Sequence, residues 1–376
     1  MKKDTQDIML ITKFFSMPWG LISVISLLTM IGMAMLYSAA QGSLEPWAMR
    51  HFERFVIGFV LMVFIAITDI RIWFKYSYFI YFLMLAFLVL VEIKGHIGMG
   101  AQRWINIGGF NFQPSEMMKI AVILALARYF HCLHVNNITK LSILVVPILI
   151  VLLPVGLILI QPNLGTATVI TMMSVGMFFV AGINIRKFVI MGALGLAALP
   201  VIWNFLMHDY QKRRVMTFLN PDADPLGAGY NIIQSKIAIG SGGFFGKGFL
   251  QGSQSQLSFL PEKQTDFIFT MLSEEFGMIG GLGIIALYAV VIMLSIKIAA
   301  ECYSHFGKLI CFGINTMLFL HVFINMAMSM GMIPVVGVPL PFLSYGGSNL
   351  LAIFIGFGFV LNAKVHEDER VDRALA

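Results

Sequence analysis

The sequence predicts an all-α integral membrane protein of about ten transmembrane helices, with one large extracytoplasmic loop between the seventh and the eighth. Three observations carry this. The 376 residues are 59% hydrophobic and 12% charged, with a mean hydropathy of +0.86, whereas a globular chain is about a quarter charged. Several apolar runs reach the ~20 residues that a helix needs to cross about 30 Å of hydrocarbon. These runs are continuous, unlike the short alternating segments of a membrane barrel.

Hydropathy places the spans near residues 19–40, 54–70, 74–93, 115–131, 141–160, 166–183, 187–207, 266–298, 307–330 and 343–364. The first follows a basic start without a small-residue cleavage site, so it reads as a retained span. The fourth opens at "QPSEMMKIA", where Pro114 suits a first helical turn. The eighth opens at "LPEKQTDFIF", with a proline and charged residues just before a long apolar run. At the start of the tenth, "SYGGS" lacks the flanks of a nucleophile elbow, so Ser344 and Ser348 read as parts of a tight helix start.

An even number of spans puts both termini on one side of the membrane. Lys13, Arg71, Lys75, Arg128, Lys140, Arg186, Lys187, Lys297, Lys308 and Lys364 fall on that side, while the short opposite loops hold Arg50, Arg54, Lys94 and Arg103. By the positive-inside rule the termini are cytoplasmic. The chain then reads as one polytopic domain, 1–376, with an interfacial N-terminus at 1–18, a tail at 365–376 and the long extracytoplasmic loop at 208–265. Within that loop "YNIIQSKIAIGSGGFFGKGF" mixes apolar and polar positions as a surface-lying helix does. No internal repeat is visible.

Several classes are excluded. The formal charge of +6 is scattered between apolar spans and forms no nucleic-acid stripe. Cys132, Cys302 and Cys311 lie in or beside apolar segments and read as packing residues. His131 and His134 have no acidic partners at metal-ligand spacing. "GSGGFFGKGF" fails as a nucleotide loop, because Ser241 and Gly248 stand where Gly and Ser or Thr are needed; flexible packing of a surface segment is its better reading.

Ionisable residues at the ends of membrane helices are functional candidates by default. One group is Glu116 and Lys119, which lie on the same helix face and read equally well as a helix-start carboxylate with an i,i+3 partner. A second is Asp266, with Glu262 before it and Glu274 and Glu275 about two turns deeper; Asp266 reads equally as a capping acid. Arg213, Arg214, Lys236 and Lys247 are loop cations that could meet an anionic headgroup or merely be solvated.

Five ordered blocks, "GAQRWINIGGFNFQPSE", "QPNLGTA", "RRVMTFLNPDADPLGAGYNIIQSKIAIGSGGFFGKG", "LSFLPEKQTDFIFTMLSEEFG" and "GMIPVVGVPLPFLSYGGSN", closely resemble the SEDS family of cell-envelope proteins, the group of FtsW, RodA and SpoVE. "PVVGVPLPF" and the compact termini look most like the elongation-type RodA branch. The resemblance implies a peptidoglycan glycosyltransferase of the bacterial cytoplasmic (inner) membrane, polymerising lipid II (undecaprenyl-pyrophosphate disaccharide peptide) on the outer face during cell elongation and rod-shape maintenance. It implies a class B penicillin-binding protein and other elongation-complex proteins as partners, with no nucleic acid. A lipid II flippase and a non-enzymatic scaffold for the penicillin-binding protein are the alternatives.

Carried onto this chain, the family's essential acid is Asp266, the general base of an inverting transfer. Lys119, Arg214 and Arg103 would hold phosphate or developing negative charge, Glu116 would orient Lys119, and Gln113, Glu262 and Lys247 complete the substrate-binding set. Pro339, Ser344, Gly346 and Gly347 are structural-motif positions. Asn163 stands where relatives commonly carry an acid, and Gln264 where they often carry His, which puts a carboxylate role and a proton relay there in doubt. No cofactor is required, no metal ligand set is identified, and a divalent cation, Mg2+ or Mn2+, could assist on the pyrophosphate.

Overall fold

A computed structural model describes residues 13–98, 101–107, 110–133, 141–207, 209–223, 227–257, 259–369 and 371. Expectations for residues 1–12, His134, Lys140 and the end of the tail lie outside the described residues.

All ten expected spans are helical. They are α1 (Trp19–Ala39), α2 (Ala48–Ile67), α3 (Ile70–Lys94), α4 (Pro114–Cys132), α5 (Val145–Ile160), α6 (Leu164–Val180) and α7 (Ile185–Val201), then α10 (Ile268–Glu301), α11 (His305–Ser329) and α12 (Gly347–Val365). The long connection holds α8 (Asp209–Leu219) and α9 (Ala228–Gly242). Among the described residues, α1, α3, α10, α11 and α12 are each long and apolar enough to cross a membrane, and α5 and α6 are shorter apolar helices. The other three spans carry ionisable side chains.

In α4 nearly every residue is buried by neighbouring helices, including Glu116, Lys119 and Arg128, and the charges are tolerated because they find partners there, Glu116 with Lys119 at 2.8 Å and Arg128 on the Lys75 carbonyl at 2.7 Å. It is the central strut of the bundle. Pro114 occupies its first turn, where a missing N–H removes no helical bond. Asp69 caps α3 by accepting from the Arg71 N–H at 2.8 Å. Asn163 caps α6 by accepting from the Thr166 N–H at 3.4 Å, so this position works without a carboxylate. Small residues let the helices approach closely: a Cβ at Gly58 of α2 would lie 2.7 Å from the Phe354 ring of α12.

One addition to the all-α expectation is a small antiparallel sheet, β1 (His96–Gly98), β2 (Ala101–Ile107) and β3 (Phe110–Phe112), in that order. Its second hairpin pairs Asn106 with Asn111. The alternation in "WINIGGFNF" around a Gly-Gly pair is a hairpin signal, which a hydropathy scan passes over.

A second difference lies inside α10, which is broken at Gly277 (φ 64°). A strap formed by residues 243–250 follows α9 and is bonded into the break. The Lys247 and Gly248 N–H groups donate to the Glu274 and Glu275 carbonyls at 3.1 and 2.9 Å, and the Met278 and Ile279 N–H groups donate to Gly243 and Phe244 at 2.9 and 3.3 Å. Backbone freed at membrane depth must find partners, and here the strap supplies them. Of the "GSGGFFGKGF" amides, those of Lys247 and Gly248 are therefore engaged by α10, while those of Gly243 and Gly246 bond back to the Gly240 and Gly242 carbonyls. A Cβ on Gly277 would overlap the Gly246 nitrogen, and its φ suits only glycine. Gly277→Ala is expected to destabilise the protein by at least about 1–3 kcal/mol, read as a lower thermal midpoint in detergent.

Candidate active site

Asp266 lies in the turn just before α10. Glu262, itself at φ 54°, opens this turn, and its carbonyl accepts the Thr265 and Asp266 N–H groups at 3.1 and 3.2 Å. The segment 338–345 is laced onto the same turn. Asn325 of α11 donates its amide to the Asp266 carbonyl at 3.0 Å and to the Val338 carbonyl at 2.8 Å. Ser344 donates to the Thr265 carbonyl at 2.6 Å and accepts the Leu340 N–H at 2.8 Å, while the Tyr345 N–H reaches the Gln264 carbonyl at 2.8 Å.

The backbone of Asp266 is thus fixed, while its half-buried carboxylate stays out of the helix cap. The N-cap of α10 is Phe267, with no side-chain bond, so Asp266 is not the capping acid. Next to it stands Gly337, where a Cβ would sit 3.5 Å from the Asp266 Oδ2. Burial pushes the Asp266 carboxyl up to about 6; the nearby Glu262 charge adds to the rise and the Arg214 guanidinium opposes it.

Arg214 projects from the inner face of α8, where Gln211 and Thr217 are buried three residues away on either side. Since its cation lowers the Asp266 pKa, Arg214→Ala is expected to move the acid limb of activity above about 6. A pH profile of kcat/KM for the variant checks this. The Glu262 carboxylate accepts from the Thr265 hydroxyl at 3.1 Å and the Gln264 amide at 3.3 Å.

A second cluster sits deep in the bundle. Glu116 and Lys119 form the expected i,i+3 pair at 2.8 Å, with side chains 6% and 1% exposed, so both charges are out of water. Lys119 also donates to His321 Nε2 of α11 at 2.8 Å, while His321 Nδ1 donates to the Met317 carbonyl at 2.8 Å. That second bond fixes the tautomer which leaves Nε2 as an acceptor. Thr166 donates to the other Glu116 oxygen at 3.5 Å. Gln113 borders this cluster, its amide on Ser115 at 3.1 Å and its N–H on Ser348 Oγ at 3.0 Å.

Two other expected residues, Arg103 and Lys247, have protein partners. Arg103 donates to the carbonyls of Gln161, at 3.1 Å, and Pro162, tying β2 to the α5–α6 turn. Lys247 pairs with Glu274 Oε1 at 2.8 Å. At the start of α12, Gly346 is the N-cap and Gly347 lies under the Arg54 guanidinium, which stacks on the Tyr345 ring at 4.6 Å. Pro339 lies between the buried Val338 and Leu340.

His321 and Asn325 are the polar residues that sequence reading passed over. A signal was there: His321, Asn325 and Ser329 recur at i, i+4 and i+8 of an apolar helix, and all three are buried. Such a stripe marks the face turned to the bundle interior. Among the described residues, no group of three or more His, Cys, Asp or Glu side chains is gathered as a metal would require.

Residues 14–369 match the FtsW/RodA/SpoVE family, described as cell cycle proteins. The chain is 42% identical over 345 residues to the peptidoglycan glycosyltransferase MrdB of Escherichia coli strain K12, covering 91% of this chain and 92% of the relative. It is 40% identical over 357 residues to stage V sporulation protein E of Bacillus subtilis strain 168, covering 91% and 95%.

Among solved structures, it superposes with a TM-score of 0.81 and 32% identity on a chain described under structural coordination of polymerization and crosslinking by a peptidoglycan synthase complex, covering 93% of this chain and 98% of that one. On the rod shape determining protein RodA of Thermus thermophilus the TM-score is 0.71 at 27% identity, covering 94% and 98%.

Proposed function

The chain belongs to the FtsW/RodA/SpoVE family, and from that premise we infer that it polymerises lipid II with Asp266 as the general base. It is a peptidoglycan glycosyltransferase of cell elongation and rod-shape maintenance. In the orientation proposed from the lysine and arginine distribution, the termini are cytoplasmic and the Asp266 turn faces outward from the bacterial inner membrane.

The acceptor's 4-hydroxyl gives its proton to an Asp266 oxygen as its own oxygen bonds to C1 of the donor sugar. The C1–oxygen bond to pyrophosphate breaks on the opposite face, and the electron pair leaves with the pyrophosphate. An α-linked donor becomes a β-link in one displacement. Pyrophosphate leaves as a stable anion when a cation is near, so one base suffices and no second carboxylate need act as acid. Arg214 is the cation proposed for that charge. Mg2+ or Mn2+, if bound, would neutralise the pyrophosphate further, and Glu262 is the carboxylate neighbour that would help to hold it.

Support for this assignment rests on one observation: a carboxylate pushed up to about 6, half-buried, backbone-anchored and outside the helix cap. A base whose pKa lies near the working pH combines an available ionised form with real proton affinity. The Glu116–Lys119–His321 cluster, Arg103 and Lys247 are assigned to holding the framework around it.

The test is polymerisation of labelled lipid II by the purified protein with a class B penicillin-binding protein, comparing wild type with Asp266→Asn. Muramidase-sensitive strands from wild type alone are the expected result. Strands from both proteins would move the base elsewhere. No strands from either, with headgroup transfer across liposomes intact, would favour a flippase.

A further inference from the structure

Lys247 has a geometry that loop solvation does not explain. Its ammonium donates to Glu274 Oε1 at 2.8 Å and to Ser253 Oγ at 2.7 Å. The same carboxylate oxygen accepts from Ser253 Oγ at 3.3 Å and from the Gln254 N–H at 2.9 Å. Glu274 is fully buried. It lies near the end of the half-helix 268–276, which begins two residues after Asp266 and stops at the Gly277 break.

About 12–14 Å of helix therefore separates the Asp266 turn from the break, with no straight continuation to stiffen it. Along one side it is held by α9, where Ser235 bonds the Thr270 hydroxyl at 2.7 Å and the Ser329 carbonyl at 2.6 Å. At its inner end it is held by the strap, through the two backbone bonds to Glu274 and Glu275 and the Lys247 pair. The end of α9 lies close against the half-helix, since a Cβ at Gly242 would overlap the Ser273 carbonyl oxygen.

We propose that Lys247 is a positioning residue for Asp266: its pair with Glu274 locks the half-helix that carries the base to the strap, and so sets where the carboxylate meets the acceptor hydroxyl. The inference rests on the reading of Asp266 as the base. A charge-assisted bond at a buried carboxylate is strong and directional, and a displacement of about 1 Å at a reacting group can cost about 10²-fold in rate.

The test is steady-state lipid II polymerisation by Lys247→Met, Lys247→Arg and the double variant Lys247→Met with Glu274→Gln. Each is assayed with the class B partner, at equal amounts of folded protein. Lys247→Met is expected to lower kcat by about 10- to 100-fold with KM within about twofold. Lys247→Arg, which keeps the charge, should retain most activity. The double variant leaves no unpaired carboxylate and should be no slower than Lys247→Met alone.

Should Lys247→Met not yield folded protein, Glu274→Gln gives the same split between kcat and KM. A raised KM with unchanged kcat would assign Lys247 to the headgroup and overturn the proposal, as would losses that multiply in the double variant. Asp266→Asn, run alongside, separates the two readings. If it polymerises like wild type, the base assignment fails; if it is inactive while Lys247→Met keeps wild-type kcat, only the positioning role fails.

Discussion

Asp266→Asn is expected to lower kcat for lipid II polymerisation by about 10²–10⁴-fold while KM changes little, the range for losing a general base. The amide has the shape of the carboxylate but cannot take a proton. The backbone bond from Asn325 to the residue 266 carbonyl and the turn bonds from Glu262 do not involve the side chain, so the fold should be kept. Stability gives an independent check. Folding raises the Asp266 pKa to about 6, so the fold favours the protonated form, and above that pH the ionised carboxylate opposes folding. The variant removes this opposition. At neutral pH its thermal midpoint should equal or exceed that of wild type, which distinguishes a lost base from a damaged fold.

Lys119→Met should have the largest effect on stability. The Glu116–Lys119 pair is almost wholly out of water, and deleting the lysine leaves a carboxylate buried beside only a threonine hydroxyl 3.5 Å away. Breaking one side of such a pair costs about 3–5 kcal/mol, whereas replacing both sides by uncharged groups of similar size is far milder. Thermal unfolding in detergent should therefore show a marked loss for Lys119→Met and substantial recovery when Glu116→Gln is added. Equal losses for the single and double variants would mean that the pair adds packing alone. Activity should follow the folded fraction, since the cluster is assigned to the framework.

Much of this architecture was legible because lipid imposes a simple rule. Long runs poor in charge must span, and all ten such runs are helices. The break in α10 was not legible, since "EEFGMIGG" has no proline and glycine is ordinary within membrane helices. Only the strap, arriving from some thirty residues earlier in the chain, reveals why Gly277 is needed. The hairpin at 101–112 was missed because a hydropathy scan is blind to period-two alternation in a short loop.

The site divides in the same way. Asp266 could be singled out as an acid at a helix mouth, and the family resemblance gave it a role. Spacing could supply the Glu116–Lys119 pair because both residues lie on one helix. It could not supply His321, about two hundred positions away, nor the partners of Arg103 and Lys247. Those charges were readable as substrate contacts only because their protein acceptors come from distant segments.

The pH dependence of kcat/KM for wild type and for the residual activity of Asp266→Asn tests the central claim most directly. The expected result is a wild-type acid limb with its midpoint near 6, falling about tenfold per pH unit below it, and a limb that is absent from the variant. A wild-type rate that stays flat through this range, or a variant that keeps the same limb, would show that Asp266 is not the group that takes the proton.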